Sequence, residues 1–229
     1  MTSRIKALTL LLALVAVVAA SAAQNPPPGQ AAFAEASAGQ AASAAQTPPP
    51  AGQRQGGGGR GRGGVQVMTL STPAWVDGAV MPVKYTQAGE EVSPPLTWSD
   101  PPATAQSFVL IVHDADAVNG DGVLGTLHWM VWNIPASSRG LPEDVPQGAE
   151  LPDGSRQIAA TGPNYRGPAA PATGPEHHYV FDLYALDVKI DVAPTGASVA
   201  QTRAAVMAAM AGHVRGKATL VGRFKYGTK

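Results

Sequence analysis

The chain has 229 residues, with 16 basic and 16 acidic side chains and a formal net charge of zero at pH 7. That balance supplies no electrostatic drive toward nucleic acid or anionic membrane surfaces, so neither is expected as a partner. There is no cysteine, which excludes both a disulfide framework and a cysteine-linked lipid anchor.

Arg4 and Lys6 precede an apolar run over residues 7–20, and small residues continue to Ala23. This is the layout of an export signal, with cleavage expected after Ala22 or Ala23 and residues 1–23 removed. The run of about 14 residues is shorter than the roughly 20 that a spanning helix requires, so no stable membrane span is expected. Residues 24–64 are rich in Pro, Ala, Gln and Gly, with Phe33 as their one aromatic. Such a segment buries too little apolar surface to offset its ordering entropy and reads as a disordered spacer. The expected localisation is exported, in a periplasm or outside the cell.

Residues 65–229 form the folded domain, with 11 basic against 15 acidic residues and hence a net charge of about −4. Strands are expected at residues 65–70, 79–85, 96–98, 108–113, 126–132, 179–186 and 218–226, separated by Gly, Pro, Asn and Asp clusters. The run from Phe108 to Val112 is apolar at every position, as a central strand covered on both faces should be. One helix is expected at residues 198–214, with Ser198 as N-cap and Val199, Val206, Met207 and Met210 as its apolar stripe. Many strands and one late helix indicate an all-β Greek-key sandwich with a C-terminal helix.

Three strand ends carry polar groups. Asp114 continues the alternation of Phe108, Leu110 and Val112. His128 alternates with Met130 and Trp132, and His177 and Tyr179 share a face with Phe181 and Leu183. Together with a Gly/Pro turn at Gly167, Pro168 and Pro171, these groups suit a small anion pocket. His128 and His177 would donate to an oxyanion, and Asp114 would accept from an imidazole and fix its tautomer. Tyr179 would add a phenol donor, Gly167 and Pro168 a rigid wall, and Asp116 a brace for its loop. Two histidines and two carboxylates also match a zinc donor set, but no His-x-His or His-x-x-x-His pair places two ligands on one element, so no metal is assigned. The segment from Asp114 to Gly122 approximates a calcium loop, with Val118 where an oxygen donor belongs.

The order Asp114-x-Asp116-Ala, His128-Trp-x-Val-x-Asn-Ile-Pro, Gly167-Pro-x-x-Pro and His177-x-Tyr179-x-Phe resembles the phosphatidylethanolamine-binding proteins, most closely their bacterial Raf-kinase-inhibitor-like branch. Ser93-Pro-Pro-Leu-Thr-Trp98 matches as well, and the resemblance covers roughly residues 66–226. It implies the sandwich of that family and a ligand site at Asp114, His128, His177 and Tyr179. The chain departs from the family at Ala115 and Val118, where prolines are usual, and at His178, where an arginine is usual.

The combined expectation is an exported binding protein for a small anionic or phosphorylated ligand, without a cofactor. It would inhibit or regulate a partner, with a protease, a kinase or an envelope protein as the candidates. A hydrolase using Asp114, His128 and His177, with or without a divalent metal, is the alternative. No Gly-x-Ser-x-Gly, phosphate-binding loop or dinucleotide fingerprint supports an enzyme. A purely structural envelope protein with a vestigial pocket is the third reading.

Overall fold

The computed structural model describes residues 64–117 and 124–228. The export signal at 1–23, almost all of the spacer, and the loop segment with Val118 to Gly122 lie outside the described residues. The strands, in chain order, are Gln66–Val67 (β1), Thr69–Ser71 (β2), Leu96–Ser99 (β3), Ser107–Asp114 (β4), Thr126–Pro135 (β5), Gly140–Leu141 (β6), Arg156–Ile158 (β7), His177–Leu186 (β8) and Val214–Phe224 (β9). A single α-helix, Val199–Met210 (α1), stands between β8 and β9.

One sheet has the strand order β1-β9-β8-β4-β5-β7, and a smaller sheet has the order β2-β3-β6. All pairs are antiparallel except β1 with β9. Strand β4 lies between β5 and β8 and is buried on both faces, as its unbroken apolar run requires. On one face Phe108, Leu110 and Val112 pack with Trp129, Phe181 and Leu183 against Leu70, Leu96 and Trp98 of the smaller sheet. Trp98 and Phe108 touch across the two layers with ring centroids 5.3 Å apart. On the other face Val109, Ile111, Met130 and Trp132 pack under Val206 and Met210 of α1. The domain is therefore an all-β sandwich whose larger sheet is covered outside by one helix.

Several element boundaries differ from the sequence expectation, each for a local reason. The expected strand at 65–70 breaks at Met68, whose N–H donates to Lys217 O, and β2 then joins the other sheet. The expected strand at 79–85 is reduced to a bridge from Val80 to Arg223 and a 3-10 turn at Val83–Tyr85. Pro82 precedes that turn and has no N–H for a ladder. Ser198 caps α1 in a capping box with Gln201, as a Ser-x-x-Gln start allows. The helix ends at Met210 rather than 214, because Gly212 takes φ +82° and Val214 opens β9. Thr202 replaces Met207 on the buried stripe, and Met207 is exposed. Strands β6 and β7, of two and three residues, are too short to show alternation.

Candidate functional site

Asp114 closes β4 and has only 3% of its surface exposed. Its neighbours in register are Thr126 on β5 and Tyr179 on β8, so central-strand pairing alone brings three polar residues together. Asp114 Oδ1 accepts from the N–H groups of Asp116 and Ala117, both at 3.0 Å, and so pins the chain as it leaves the strand. Asp114 Oδ2 accepts from His177 Nδ1 at 2.9 Å. The carboxylate therefore holds the His177 proton on Nδ1 and leaves Nε2 without a partner among the described residues. Asp116 performs the bracing role, with Oδ2 accepting from the His178 N–H at 2.6 Å and from His178 Nδ1 at 2.8 Å.

His128 reaches the same hollow through a bulge. Val112 pairs with Trp129 while His113 pairs with Leu127, so His128 is the extra residue on β5. Simple alternation placed it with Met130 and Trp132, but those two face the helix. The bulge reverses that assignment and sets His128 edge-on to Tyr179, with ring centroids 5.0 Å apart. His128 Nδ1 donates to the carbonyls of Arg166 (3.0 Å) and Gly167 (3.1 Å), which fixes the tautomer. Burial lowers the His128 pKa, and the nearby Arg166 guanidinium adds to this, against the opposing effect of the two carbonyl bonds and Asp114. The ring is accordingly neutral at pH 7, with an unprotonated Nε2.

Tyr179 accepts from the Ala169 N–H at 3.1 Å, and burial, reinforced by Asp114, raises its phenol well above the ordinary range. Gly167 and Pro168 support the wall from behind. The Gly167 carbonyl also accepts from Gln87 Nε2 at 2.7 Å, its N–H donates to Glu91 Oε1 at 3.2 Å, and the Pro168 carbonyl accepts from the Gln87 N–H at 3.0 Å. A Cβ on Gly167 would lie 2.8 Å from both Thr86 Cα and Tyr85 O, so only glycine permits this backbone approach.

The cavity these groups enclose has a volume of about 190 Å³. Asp114, His128, His177 and Tyr179 line it, whereas Gly167 and Pro168 contribute backbone outside the lining. Sequence reasoning missed Gln87, Thr126 and Arg166. Thr126 was legible as the register partner of Asp114 and Arg166 as the residue before the Gly-Pro turn, whereas Gln87 is remote and carried no signal. His113, His213 and Ser107 also carry groups suited to catalysis or binding, but none of them lines this cavity. His113 faces Asp182 at 3.7 Å, His213 donates to Asp187 at 2.8 Å, and Ser107 Oγ donates to the Val188 carbonyl. Among the described residues no three His, Cys, Asp or Glu side chains converge as a metal site.

The pocket thus presents two imidazole Nε2 atoms, a phenol and a carboxylate, with one guanidinium. Residues 71–225 match the family model described as phosphatidylethanolamine-binding protein. The UPF0098 protein of Methanothermobacter thermautotrophicus is 43% identical over 162 residues, 70% of this chain and 100% of that protein. The Mycobacterium tuberculosis protein named "Putative lipoprotein LppC" is 37% identical over 160 residues, 69% of this chain and 72% of that one. Among solved structures, the phosphatidylethanolamine-binding protein homologue CT736 of Chlamydia trachomatis superimposes with a TM-score of 0.57 at 34% identity, covering 69% of this chain and 97% of that one. YbcL of E. coli gives 0.58 at 28% identity, covering 69% and 98%. With the family model spanning most of the chain and the sandwich shared, this protein belongs to the phosphatidylethanolamine-binding protein family.

Proposed function

We propose that the domain binds a small oxyanion, a phosphate or phospholipid-headgroup-like group, in the hollow bounded by Asp114, His128, His177 and Tyr179. The observation that carries this reading is the pairing of each imidazole through Nδ1, which leaves both Nε2 atoms for a ligand. In the neutral form these atoms accept hydrogen bonds. At these two atoms an anion oxygen is accepted only once a proton is taken up, or brought as a P–OH group, so their contribution to binding is coupled to protonation. The sign follows directly. The bound anion favours the imidazolium, the bound-state pKa lies above the free-state value, and affinity falls as pH rises from about 6 to 8.

Calorimetry with inorganic phosphate, phosphoethanolamine and acetate, on the wild type and His128→Ala, tests the reading. The wild type should bind phosphate more tightly than the variant, with the pH trend just given. Equal and weak binding by both proteins at millimolar ligand would refute it.

We further infer that the protein acts outside the cytoplasm as a binding and regulatory component whose partner is a protease or an envelope protein. The basic-then-apolar start of the chain supports export, as does a relative named as a lipoprotein. This chain has no cysteine and would not carry a lipid through one. Among the described residues no helix is long and apolar enough to cross a membrane. A hydrolytic reading draws on the Asp114–His177 pair, whose free Nε2 has the geometry of a general base. Turnover of p-nitrophenyl phosphate or acetate that disappears in His177→Ala would favour it.

A further inference from the structure

Six arginines lie among the described residues, and five have a fixed partner for the guanidinium. Arg139 donates to the Ala136 and Ser138 carbonyls, Arg156 to the Val192 carbonyl, and Arg203 to the Gly125 carbonyl. Arg215 pairs with Asp187, and Arg223 with Glu176. Arg166 differs. Its backbone N–H donates to the His128 carbonyl and its own carbonyl accepts from His128 Nδ1, so its main chain is locked at the pocket wall. Its guanidinium has neither an ion pair nor a hydrogen bond among the described residues, although the side chain lines the cavity. The residue is half-buried, and its guanidinium offers five donors at the cavity that no protein acceptor takes up among the described residues.

Charge makes the same point. Asp114 contributes a carboxylate to the cavity, and both imidazole Nε2 atoms are acceptors when neutral. Arg166 is the one permanent cation among the lining residues. Without it the hollow would repel an anion at neutral pH. A guanidinium fork also matches two oxygens of one oxyanion, which a point charge such as an ammonium does not.

We propose that Arg166 is the counter-ion of the bound ligand, gripping two oxygens of a phosphate monoester and making the pocket prefer a doubly charged monoester to a singly charged diester. This rests on the anion-pocket reading above. The chemistry could come from a free phosphate monoester or from a lipid headgroup, and the net charge of the ligand separates the two sources.

The test is calorimetry at pH 7.5 with inorganic phosphate, phosphoethanolamine and glycerophosphoethanolamine, on wild type, Arg166→Gln and Arg166→Lys. The proposal expects the wild type to bind the first two more tightly than the diester. Arg166→Gln should lose about tenfold or more toward phosphate and phosphoethanolamine and less toward the diester, as the loss of a charge-assisted pair implies. Arg166→Lys should recover part of that loss. Thermal unfolding should be little changed in both variants, because the side chain is half-buried and the main-chain bonds to His128 remain. Phosphate binding by Arg166→Gln at the wild-type level, with His128→Ala weakened, would overturn the role of Arg166 and leave the pocket reading standing. A wild type that binds the diester as tightly as the monoesters would overturn the selectivity. A wild type that binds none of the three at millimolar concentration would overturn the pocket reading and this inference with it.

Discussion

Replacing Asp114 by asparagine separates the two roles assigned to this carboxylate. Asp114 accepts three hydrogen bonds, from Asp116 N, Ala117 N and His177 Nδ1, at 2.9 to 3.0 Å and nearly out of reach of solvent. An asparagine is almost isosteric, yet in either orientation its NH₂ confronts a donor. If it faces the two backbone N–H groups, both bonds are lost. If it faces His177, the ring escapes the clash by moving its proton to Nε2 and accepting at Nδ1. The second outcome is cheaper, since a tautomer shift breaks no backbone bond. Bonds to a charged acceptor contribute about 1.5–3 kcal/mol each and neutral ones about half of that, so a net loss of about 2–3 kcal/mol is expected. In a domain of this size that corresponds to a fall of about 5–10 °C in Tm. The same tautomer shift turns His177 Nε2 into a donor, and the substitution itself removes a negative charge from the cavity. Phosphate affinity at pH 8 should therefore be kept or raised, and the decline between pH 6 and 8 should flatten. Thermal unfolding followed by circular dichroism gives the first quantity and calorimetry at several pH values gives the second. Unchanged stability would refute the hydrogen-bond account, and loss of phosphate binding at every pH would refute the electrostatic one.

Gly167→Ala should displace the wall against Thr86 and Tyr85, weakening phosphate binding and lowering stability by about 1–3 kcal/mol, measured by calorimetry and urea unfolding. Burial disfavours the charged form of Asp182, but hydrogen bonds from His113, Thr219 and Lys217 prevail and hold its carboxyl down at about 2. Its stabilisation is present above the unfolded value near 3.8 and is lost as pH falls toward 2, so Asp182→Asn should cost about 1–2 kcal/mol at pH 7 and much less at pH 2, by urea unfolding at both. The folded-state pKa of His128 is depressed instead, so the unfolded chain binds more protons and stability should decline as pH drops below 6.5. Saturating phosphate should reduce that decline, measured as Tm between pH 5 and 7, and an equal decline with and without phosphate would contradict the coupling.

Much of the sandwich was legible because its central strands have strong patterns. The unbroken run Phe108 to Val112 and the alternation from Tyr179 to Ala185 fix which faces are buried, and Asp114 and Tyr179 follow from those faces. His128 was assigned to the face of Met130 and Trp132, since a period of two cannot register the bulge that turns it toward Tyr179. The bulge leaves no mark in the sequence, because both His128 and Trp129 are large enough to belong on either face. The turn at Val83–Tyr85 was misread as a strand because Val83 and Tyr85 are good strand formers, and Pro82 was given too little weight. Arg166 and Gln87 could not be found by pattern, because each is placed by main-chain bonds to a distant element, Arg166 to β5 and Gln87 to the Gly167-Pro168 turn.

The most direct test is the nitrogen-15 NMR spectrum of the histidine side chains during a phosphate titration near pH 7. The account predicts that His128 and His177 begin as Nδ1–H tautomers with unprotonated Nε2, and that phosphate moves at least one Nε2 signal to the protonated position while Nδ1–H is retained. Two imidazoles whose Nε2 signals stay in place at saturating phosphate, or that begin as Nε2–H tautomers, would contradict it.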